Sequence, residues 1–559
     1  EVNILIRKAT LQAKKGMMDK AFQDMHEALS ILGGTTLIDP KAITEETFQK
    51  QHSSFFVMAL KDAAGFYSTI YKTTNDCEDI LNAKYLYELA ARVFALYYQN
   101  GEYNTNLNNL NKTINEGIYE VHVALEVPLS PEMLTLIEGN NSQVLRNEFE
   151  RKNLQFLNVT ESTLAHRNFL HLKLQNLDSD NPADQATRQM LADSIALLDS
   201  QIASQEPLYR SFYNEDVTLQ KIQNYLHEKE LLIKYFTGSE ATYAVIISQK
   251  EIKLFTLGGT DALQEMLTSY FPRLSDPLRN TANQSRELYS HLIAPWEQEL
   301  GKYSTLTIIP DDFLHYLPFE VLESQGFALV QSHEIKYANS LDLWLLKKKS
   351  LPEIQENKTL FAAFAPLYGD TGISTQRDRG DRFENIAGAK KEAQLIAANL
   401  NGDVFLDDDA TLDNFMERTT SYRIYHLAMH AVMDEKEHTR SGLIFQGNGF
   451  LNFTSLYGMY FPAELVVLSA CNTGVGKLAA GEGLLSLSRA MTYAGVRSSV
   501  YSLWEVPDAE TSTIMLSFYK YLQEGKNKTT ALAAAKRDFL KNNPLKSHPY
   551  YWAGFVING

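Results

Sequence analysis

Two residue types that perform covalent catalysis each end a short apolar run in the C-terminal half of the chain. His430 ends the segment 424–430 (IYHLAMH), and Cys471 ends the segment 465–471 (LVVLSAC). Such runs are typical of buried strands, and neighbouring parallel strands hold ligand sites at their carboxyl ends in open sheets. A cysteine sulfur becomes a strong nucleophile when a histidine takes its proton. We therefore predict that His430 and Cys471 form a catalytic pair for acyl transfer.

The two cysteines of the chain, Cys77 and Cys471, also have a structural interpretation. A free cysteine is often a small buried apolar side chain, and Cys471 taken alone fits that description equally well. Cys77 lies in a helical region without a partner motif, and we predict a structural role for it. So few thiols in a long chain indicate a reducing, cytoplasmic location, and they exclude a four-cysteine zinc site.

A metal site is the alternative use of the two histidines. His426 and His430 lie four residues apart on a predicted strand, so both point to the same face, and Asp434 follows them. Metal-binding histidine pairs favour this spacing on a helix instead. We therefore predict no metal at these histidines, and we expect His426 to be a packed or hydrogen-bonded neighbour of the site.

The elements that must position the pair alternate between strand and helix. From residue 230 onward, β-branched and aromatic runs between turns predict strands at 231–236, 243–247, 252–257, 306–309, 360–364, 404–406, 424–429, 465–468 and 498–503. Helices are predicted at 389–400, 483–494 and 509–523. This alternation indicates an α/β fold with a mostly parallel sheet flanked by helices.

The first part of the chain has helical periodicity instead. Gly16 lies in a turn between two helices, and Ala21 and Ala28 lie seven residues apart on one helix face. Small side chains at that spacing let paired helices approach closely, and the unit resembles a tetratricopeptide repeat. The alternative is an irregular helical bundle. We predict an all-α, repeat-like domain at 1–175, a helical connector at 176–229 and an α/β domain at 230–559, divided into 230–355 and 356–559.

Charge and composition restrict the partners. The net charge is −16, with 44% apolar and 21% charged residues. A nucleic-acid binder normally carries a basic stripe, so we expect no direct nucleic-acid contact. No apolar stretch is long enough to span a bilayer, and no secretory signal is visible. Because the sequence begins with Glu1 rather than Met, we expect a processed or trimmed segment.

Several motifs together resemble one family, the CHAT proteins, which are caspase-like peptidases often fused to tetratricopeptide repeats. The motifs are 309–322 (IPDDFLHYLPFEVL), 387–393 (AGAKKEA), 426–430 (HLAMH), 468–474 (LSACNTG), 481–485 (GEGLL) and 502–504 (SLW). The resemblance covers roughly residues 216–559. It implies a caspase-like fold, with His430 as general acid and base, Cys471 as nucleophile, and no metal or organic cofactor.

The resemblance also implies an oxyanion hole and a specificity pocket. Backbone N–H groups of Ala431 and Cys471 would form the former, although the family usually has glycine where this chain has Ala431. The pocket would lie near the loop after the tryptophan-bearing strand. Its candidate substrate-binding residues here are Glu392, Trp504, Glu505 and Asp508. Their acids would suit arginine or lysine, whereas the alternative for Asp508 is to cap the following helix.

These features predict a regulated cysteine endopeptidase that cleaves proteins. Its helical repeats would bind a regulatory protein or peptide, or hold the enzyme inactive. The resemblance implies a setting in bacterial defence, including antiviral defence, or in cell-death signalling. The alternatives are a catalytically inactive interaction scaffold and a cysteine acyltransferase.

Overall fold

The computed structural model describes most of the chain. The described residues are 1–34, 39–48, 53–98, 105–140, 166–167, 169–170, 173–174, 177, 182–203, 217–349, 359–368, 385–386, 388–432, 441–447, 449–456, 459, 461–469, 490–492, 494–504 and 506–559. They divide into two compact units. Unit 1 comprises Glu1–Asn147, Asp216–His227 and Ile233–Ala262, and unit 2 comprises Glu148–Glu215, Glu228–Leu232 and Leu263–Gly559.

The helices are numbered along the chain. They are α1 (Val2–Lys14), α2 (Met18–Gly33), α3 (Ser54–Thr74), α4 (Cys77–Tyr98), α5 (Thr105–Ala124), α6 (Pro182–Ala203), α7 (Leu219–Tyr225), α8 (Thr260–Leu274), α9 (Ala282–Leu292), α10 (Glu297–Leu300), α11 (Leu341–Lys349), α12 (Ala389–Leu400), α13 (Leu412–Met416), α14 (Phe453–Leu456), α15 (Asp508–Gln523) and α16 (Lys528–Asn542). Residues 131–140 and 490–492 are also helical. The predicted helix at 483–494 otherwise lies outside the described residues.

The strands are numbered in the same way. They are β1 (Glu230–Thr237), β2 (Ala241–Ile247), β3 (Ile252–Gly259), β4 (Thr305–Ile309), β5 (Glu323–Ser324), β6 (Phe327–Ala328), β7 (Glu334–Tyr337), β8 (Thr359–Ala365), β9 (Asp403–Leu406), β10 (Tyr422–Leu427), β11 (Ala431–Val432), β12 (Gly442–Ile444), β13 (Phe450–Asn452), β14 (Leu465–Leu468), β15 (Ser499–Ser502) and β16 (Phe555–Asn558).

Unit 1 begins with helices packed in pairs, as the sequence predicts. Helix α1 packs against α2, and α3 packs against α4. Gly16 joins the first pair with a φ of +75°, a conformation that favours glycine. Ala21 and Ala28 are completely buried on α2, which allows the close approach of neighbouring helices. Cys77, by contrast, is an exposed free thiol at the start of α4.

The β1–β2 turn of unit 1 is attached to helix α5 through one carboxylate. Glu116 accepts hydrogen bonds from the backbone N–H groups of Ser239 (2.8 Å), Glu240 (2.7 Å) and Ala241 (3.3 Å) and from the Ser239 hydroxyl (2.6 Å). Burial alone would raise the pKa of Glu116, but these donors outweigh it and lower the pKa. The strands Ile233–Ala262 thus belong to the same compact unit as the first helices.

Unit 2 is built on a mostly parallel sheet with the strand order β4-β7-β16-β15-β14-β10-β8-β9. Strands β15, β14, β10, β8 and β9 are mutually parallel, and β4, β7 and β16 form a second parallel group. The two groups meet at the antiparallel pair β15–β16. The predicted fold class, an all-α region followed by a mostly parallel sheet with flanking helices, is confirmed.

The core of unit 2 on the candidate-site side lies around β10. Its buried residues include Phe364, Phe415, Tyr425, Leu427 and Leu468, all at most 1% exposed. Their aromatic rings interlock at T-shaped and tilted angles, as between Phe415 and Phe445. Buried side chains in such packing give the ends of β10 and β14 a fixed backbone.

No helix of the described residues is long and apolar enough to cross a lipid bilayer.

Candidate active site

The end of β10, which leads into the loop that contains His430, is paired with a neighbouring strand on each side. Leu427, the last residue of β10, is paired with Phe364 of β8 and with Leu468 of β14. The next residue, Ala428, donates its N–H to the Phe364 carbonyl at 2.9 Å. His430 follows two residues later and is half-buried. It therefore lies just beyond the carboxyl end of a central strand, where the sequence predicts it.

Tyr368, three residues after β8, holds His430 by both its hydroxyl and its ring. The hydroxyl accepts the backbone N–H of His430 at 3.0 Å and donates to the Ile444 carbonyl at 2.8 Å. The phenol and imidazole centroids are 4.8 Å apart. Burial raises the pKa of Tyr368 far above its ordinary value, so its hydroxyl keeps its proton and remains a donor. Tyr368 itself donates its N–H to Asn385 Oδ1 at 2.7 Å.

A small antiparallel sheet, β11-β12-β13, continues from His430. Ala431 is paired with Leu443, and the Ile444 N–H donates to the His430 carbonyl at 3.0 Å. Strand β12 thus belongs to this small sheet and not to the large one. His430 and Ala431 are consequently held from the side of β8 and from the side of β12.

The other predicted member of the pair, Cys471, lies outside the described residues, as does Glu505. The chain that leads to Cys471 is described as far as Ser469, which directly follows β14. Ser469 donates its N–H to the Leu427 carbonyl at 3.1 Å. The last described residue before Cys471 is therefore bonded to the end of β10, three residues before His430.

Glu392 of α12 lies under the ends of β10 and β14 and is only 3% exposed. Its carboxylate accepts the Ser469 hydroxyl, and its Oε1 is 3.0 Å from Nε2 of His426, at an angle outside hydrogen-bond geometry. His426 is completely buried, and its Nδ1 lies 3.1 Å from the Tyr519 hydroxyl. Burial, and then the charge of Glu392, raise the pKa of Tyr519.

The remaining candidates for substrate binding lie after β15. Trp504 is buried and donates its indole N–H to the Tyr550 carbonyl at 3.1 Å. Asp508 is exposed, and its Oδ2 accepts the Gly388 N–H at 3.4 Å, just before α12. The alternative in which Asp508 caps its own helix is wrong, because α15 begins at Asp508 after Pro507 without a side-chain cap.

Three residues of this region are missing from the sequence prediction: Tyr368, Ser469 and Tyr519. Ser469 stands in the motif LSACNTG, two residues before the predicted nucleophile, which is the only sequence signal for it. Tyr368 and Tyr519 have no such signal, because their partners lie 62 and 93 residues away in the chain.

The C-terminal half of the chain matches the model of the CHAT domain over residues 283–559. Two curated relatives are named tetratricopeptide repeat protein 28. The mouse protein is 24% identical over 345 residues, covering 52% of this chain and 14% of the relative. The human protein is 24% identical over 324 residues, covering 49% and 13%. The alignments thus span only a small part of these relatives.

Among solved structures, the chain is similar to an Arg-specific cysteine proteinase, gingipain R, at 12% identity and a TM-score of 0.33. That alignment covers 54% of this chain and 74% of gingipain R. It is also similar to the separase–securin complex of Saccharomyces cerevisiae at 10% identity and a TM-score of 0.40, covering 100% and 53%.

The family model, the mostly parallel sheet and the paired N-terminal helices agree with one another. The first helices fit tetratricopeptide-like repeats, the module for which the curated relatives are named. The chain is therefore a CHAT-domain protein, with that domain at residues 283–559.

Proposed function

We propose that this chain is a caspase-like cysteine endopeptidase that uses His430 and Cys471 as its catalytic pair. The observation that carries the proposal is the register of β10 and β14. Leu427 is paired with Leu468, and His430 and Cys471 each follow their leucine by three residues. This register supports a catalytic pair beyond the carboxyl ends of two neighbouring parallel strands, where such folds bind ligands.

The proposed reaction needs only these residues and water. His430 accepts the thiol proton of Cys471, and the thiolate sulfur attacks the carbonyl carbon of the peptide bond while the carbonyl electrons move to oxygen. Collapse of this intermediate breaks the C–N bond, and the imidazolium gives its proton to the leaving amine. Water then attacks the thioester, passing a proton to His430. The acid product leaves, and the proton returns to the sulfur.

The developing oxyanion would be stabilised by the backbone N–H groups of Ala431 and Cys471. In other hydrolases, one such donor contributes roughly 3–4 kcal/mol. The usual glycine is replaced by alanine here, but the donor is a main-chain group that alanine also carries. The backbone around Ala431 is paired with β12, and the N–H of the preceding His430 is bonded to Tyr368, which supports a fixed donor direction.

Specificity for arginine or lysine before the cleaved bond is part of the proposal. Of the three predicted acids, Asp508 is exposed next to the start of α12, whereas Glu392 is buried beneath Ser469. Asp508, together with Glu505, is therefore our candidate for pairing with a basic side chain. Trp504 is packed against the C-terminal segment and would shape the loop from behind.

The helical repeats would bind the partner that controls the enzyme. Paired helices form extended surfaces that suit protein or peptide ligands. We propose that such a ligand releases a latent enzyme or delivers its substrate. The proposed role in bacterial defence or cell death rests on the family resemblance, and the proposed cytoplasmic location rests on the scarcity of cysteine.

Labelling with an electrophilic peptide probe tests the proposal. The wild type would be compared with Cys471→Ala and His430→Ala, and mass spectrometry would locate the modified residue. The exposed thiol of Cys77 is an internal reference in the same molecule. We expect Cys471 to react far faster than Cys77 and to slow in His430→Ala. If Cys471 reacts no faster than Cys77, even with candidate partners present, the chain is better explained as an interaction scaffold.

Peptidase and acyltransferase activity differ in their products. A peptidase releases one new N-terminus for each bond cleaved, whereas a transferase moves the acyl group to another acceptor. Counting new N-termini in a substrate protein therefore separates the two. Unchanged partner binding by Cys471→Ala, without any cleavage by the wild type, is the result expected of a scaffold.

A further inference from the structure

We propose that Glu392 is a positioning residue of the candidate active site, whose buried carboxylate sets the direction in which the chain leaves β14 toward Cys471. The role rests on the proposed function, because it concerns the same two strand ends. It differs from the substrate contact predicted from the charge of Glu392. A side chain that is 3% exposed and bonded beneath the sheet end is placed to act through its neighbours.

Ser469 is the residue on which Glu392 acts. Its backbone N–H donates to the Leu427 carbonyl, and its hydroxyl donates to Glu392 Oε1. The backbone and the side chain of Ser469 are thus each held by a separate hydrogen bond. Cys471 lies two residues beyond, a span of at most about 7 Å. Because misplacement of a reacting atom by about 1 Å can reduce a reaction rate about 100-fold, we expect the orientation of Ser469 to affect the reactivity of Cys471.

His426 and Tyr519 supply the second half of this arrangement. The Tyr519 hydroxyl forms a hydrogen bond with Nδ1 of His426 at 3.1 Å, so the other ring nitrogen, Nε2, is turned toward α12. That nitrogen faces Glu392 Oε1 at 3.0 Å. The carboxylate thus accepts the Ser469 hydroxyl directly after β14 and lies against the buried imidazole of His426 on β10.

The side chains around the Glu392 carboxylate are buried, so the loss of one polar partner is costly. Glu392, His426 and Ser469 are 3%, 0% and 7% exposed. A buried carboxylate is tolerated only with polar partners, and removal of one partner leaves the other uncompensated. The ring of Phe361 packs against both His426 and Tyr519 and limits their rotation. Strand β14 is therefore linked to α12 and β10 directly before the predicted nucleophile.

The test measures Cys471 modification by the peptide probe, separated into the binding constant KI and the maximal rate constant kinact. In Glu392→Gln we expect kinact to fall about 10–100-fold while KI changes by less than about threefold. The side chains introduced by Ser469→Thr and Ser469→Val have nearly the same shape, but only threonine carries a hydroxyl. We expect the Thr variant to stay within about threefold of the wild type and the Val variant to lose rate as Glu392→Gln does.

The matched control is Glu464→Gln, at the opposite end of the same two strands. Glu464 directly precedes β14 and pairs with Arg423 of β10 at 2.9 Å. Its loss also removes a carboxylate that joins these strands, but far from Cys471. We expect unchanged kinact in this variant. Unchanged kinact in Glu392→Gln, or equal rates in Ser469→Thr and Ser469→Val, overturns the proposal.

A second measurement separates this proposal from the proposed function. If wild-type Cys471 reacts no faster than Cys77, the endopeptidase function fails, and hydrogen exchange of the Ser469 amide decides the positioning role. Its N–H is bonded to Leu427. Faster exchange in Glu392→Gln than in Glu464→Gln then supports the proposal, and equal exchange in both variants refutes it.

Discussion

The hydroxyl of Tyr368 links His430 to Ile444, accepting the backbone N–H of the first at 3.0 Å and donating to the carbonyl of the second at 2.8 Å. One buried oxygen thereby fixes the loop after β10 against the small sheet that follows it. The imidazole of His430 also lies against the phenol ring. Tyr368 is thus the side chain that sets where His430 stands relative to β8.

Tyr368→Phe should lower stability and the His430-dependent reaction together. It keeps the ring but leaves a buried N–H and a buried carbonyl without their partner, which costs about 1–3 kcal/mol. We expect the labelling rate of Cys471 to fall about tenfold, because the His430 backbone is free to shift. Thermal unfolding and probe labelling measure the two effects.

The control for this variant is Tyr422→Phe. The Tyr422 hydroxyl donates to Asp403 Oδ2 at 2.7 Å, at the amino end of β10. We expect it to affect stability without changing the labelling rate. Equal loss of rate in both variants would show that the effect does not come from the position of His430.

Much of the framework around this site could be predicted from the sequence. The strand at 465–468 and the helix at 389–400 match β14 and α12 residue for residue. Both are delimited by local signals, a short β-branched run in one case and an amphipathic period in the other. The carboxyl end of β10 was predicted two residues too late, at Met429 instead of Leu427, because the apolar run continues up to His430.

The order of the strands in the sheet could not be predicted from the sequence. Strand β16, at 555–558, lies between β7 and β15 and runs antiparallel to β15. Its four residues are too few to show a period, and its neighbours are distant in sequence. Pairing of this kind depends on tertiary packing, which one sequence does not display.

The buried contacts of Glu392 could not be predicted from the sequence for a similar reason. An acid such as Glu392, on an amphipathic helix near a strand end, is expected to face solvent. In the structure its carboxylate is buried because Ser469 and His426 compensate it. Charge and position along the chain identify the residue, but only its neighbours determine whether it contacts substrate or supports the strands.

Glu116→Gln should destabilise unit 1 in a pH-dependent manner. The pKa of Glu116 is lowered, so its ionised form stabilises the folded state at neutral pH. This stabilisation is complete above the ordinary pKa of 4.5 and is lost as the pH falls through the lower folded value. We expect a loss of about 1–3 kcal/mol at pH 7 and a smaller difference from the wild type in acid.

Urea unfolding at pH 7 and at progressively lower pH measures this difference. The exposed Glu132, in the helical segment 131–140, offers a Glu→Gln control in the same unit. We expect the control to leave the free energy of unfolding nearly unchanged. A Glu116→Gln effect that is constant across the acid range would contradict the role of the ionised carboxylate.

Gly238→Ala should disturb the same contact from the other side. A Cβ at Gly238 would lie 2.3 Å from Glu116 Oε1 and 2.7 Å from the Ala241 carbonyl oxygen. Since the second atom is backbone, the turn itself must shift. We expect a destabilisation of about 1–3 kcal/mol. Because both changes break one contact, the double variant with Glu116→Gln should lose less than the sum of the two, and full additivity would refute the shared contact.

Lys536→Met should be the most destabilising of these variants, since it separates a buried ion pair of unit 2. Lys536 Nζ lies 2.9 Å from Glu320 Oε1, with side chains 1% and 3% exposed. The other carboxylate oxygen accepts the Tyr337 hydroxyl at 2.6 Å. Burial, and then the charge of Glu320, raise the pKa of Tyr337, so this donor remains protonated.

Methionine fills the space of the lysine but leaves the Glu320 carboxylate with Tyr337 alone. Removing one partner of a buried pair costs about 3–5 kcal/mol, because the remaining charge is uncompensated. Adding Glu320→Gln should recover part of that loss by removing the charge. The pair of Glu299 with the exposed Lys302 is the control, and Lys302→Met should cost less than about 1 kcal/mol. Denaturant unfolding followed by tryptophan fluorescence compares the three variants. If Lys536→Met is no more costly than Lys302→Met, the pair does not hold α16 to the segment of Glu320, and hydrophobic packing alone accounts for that contact.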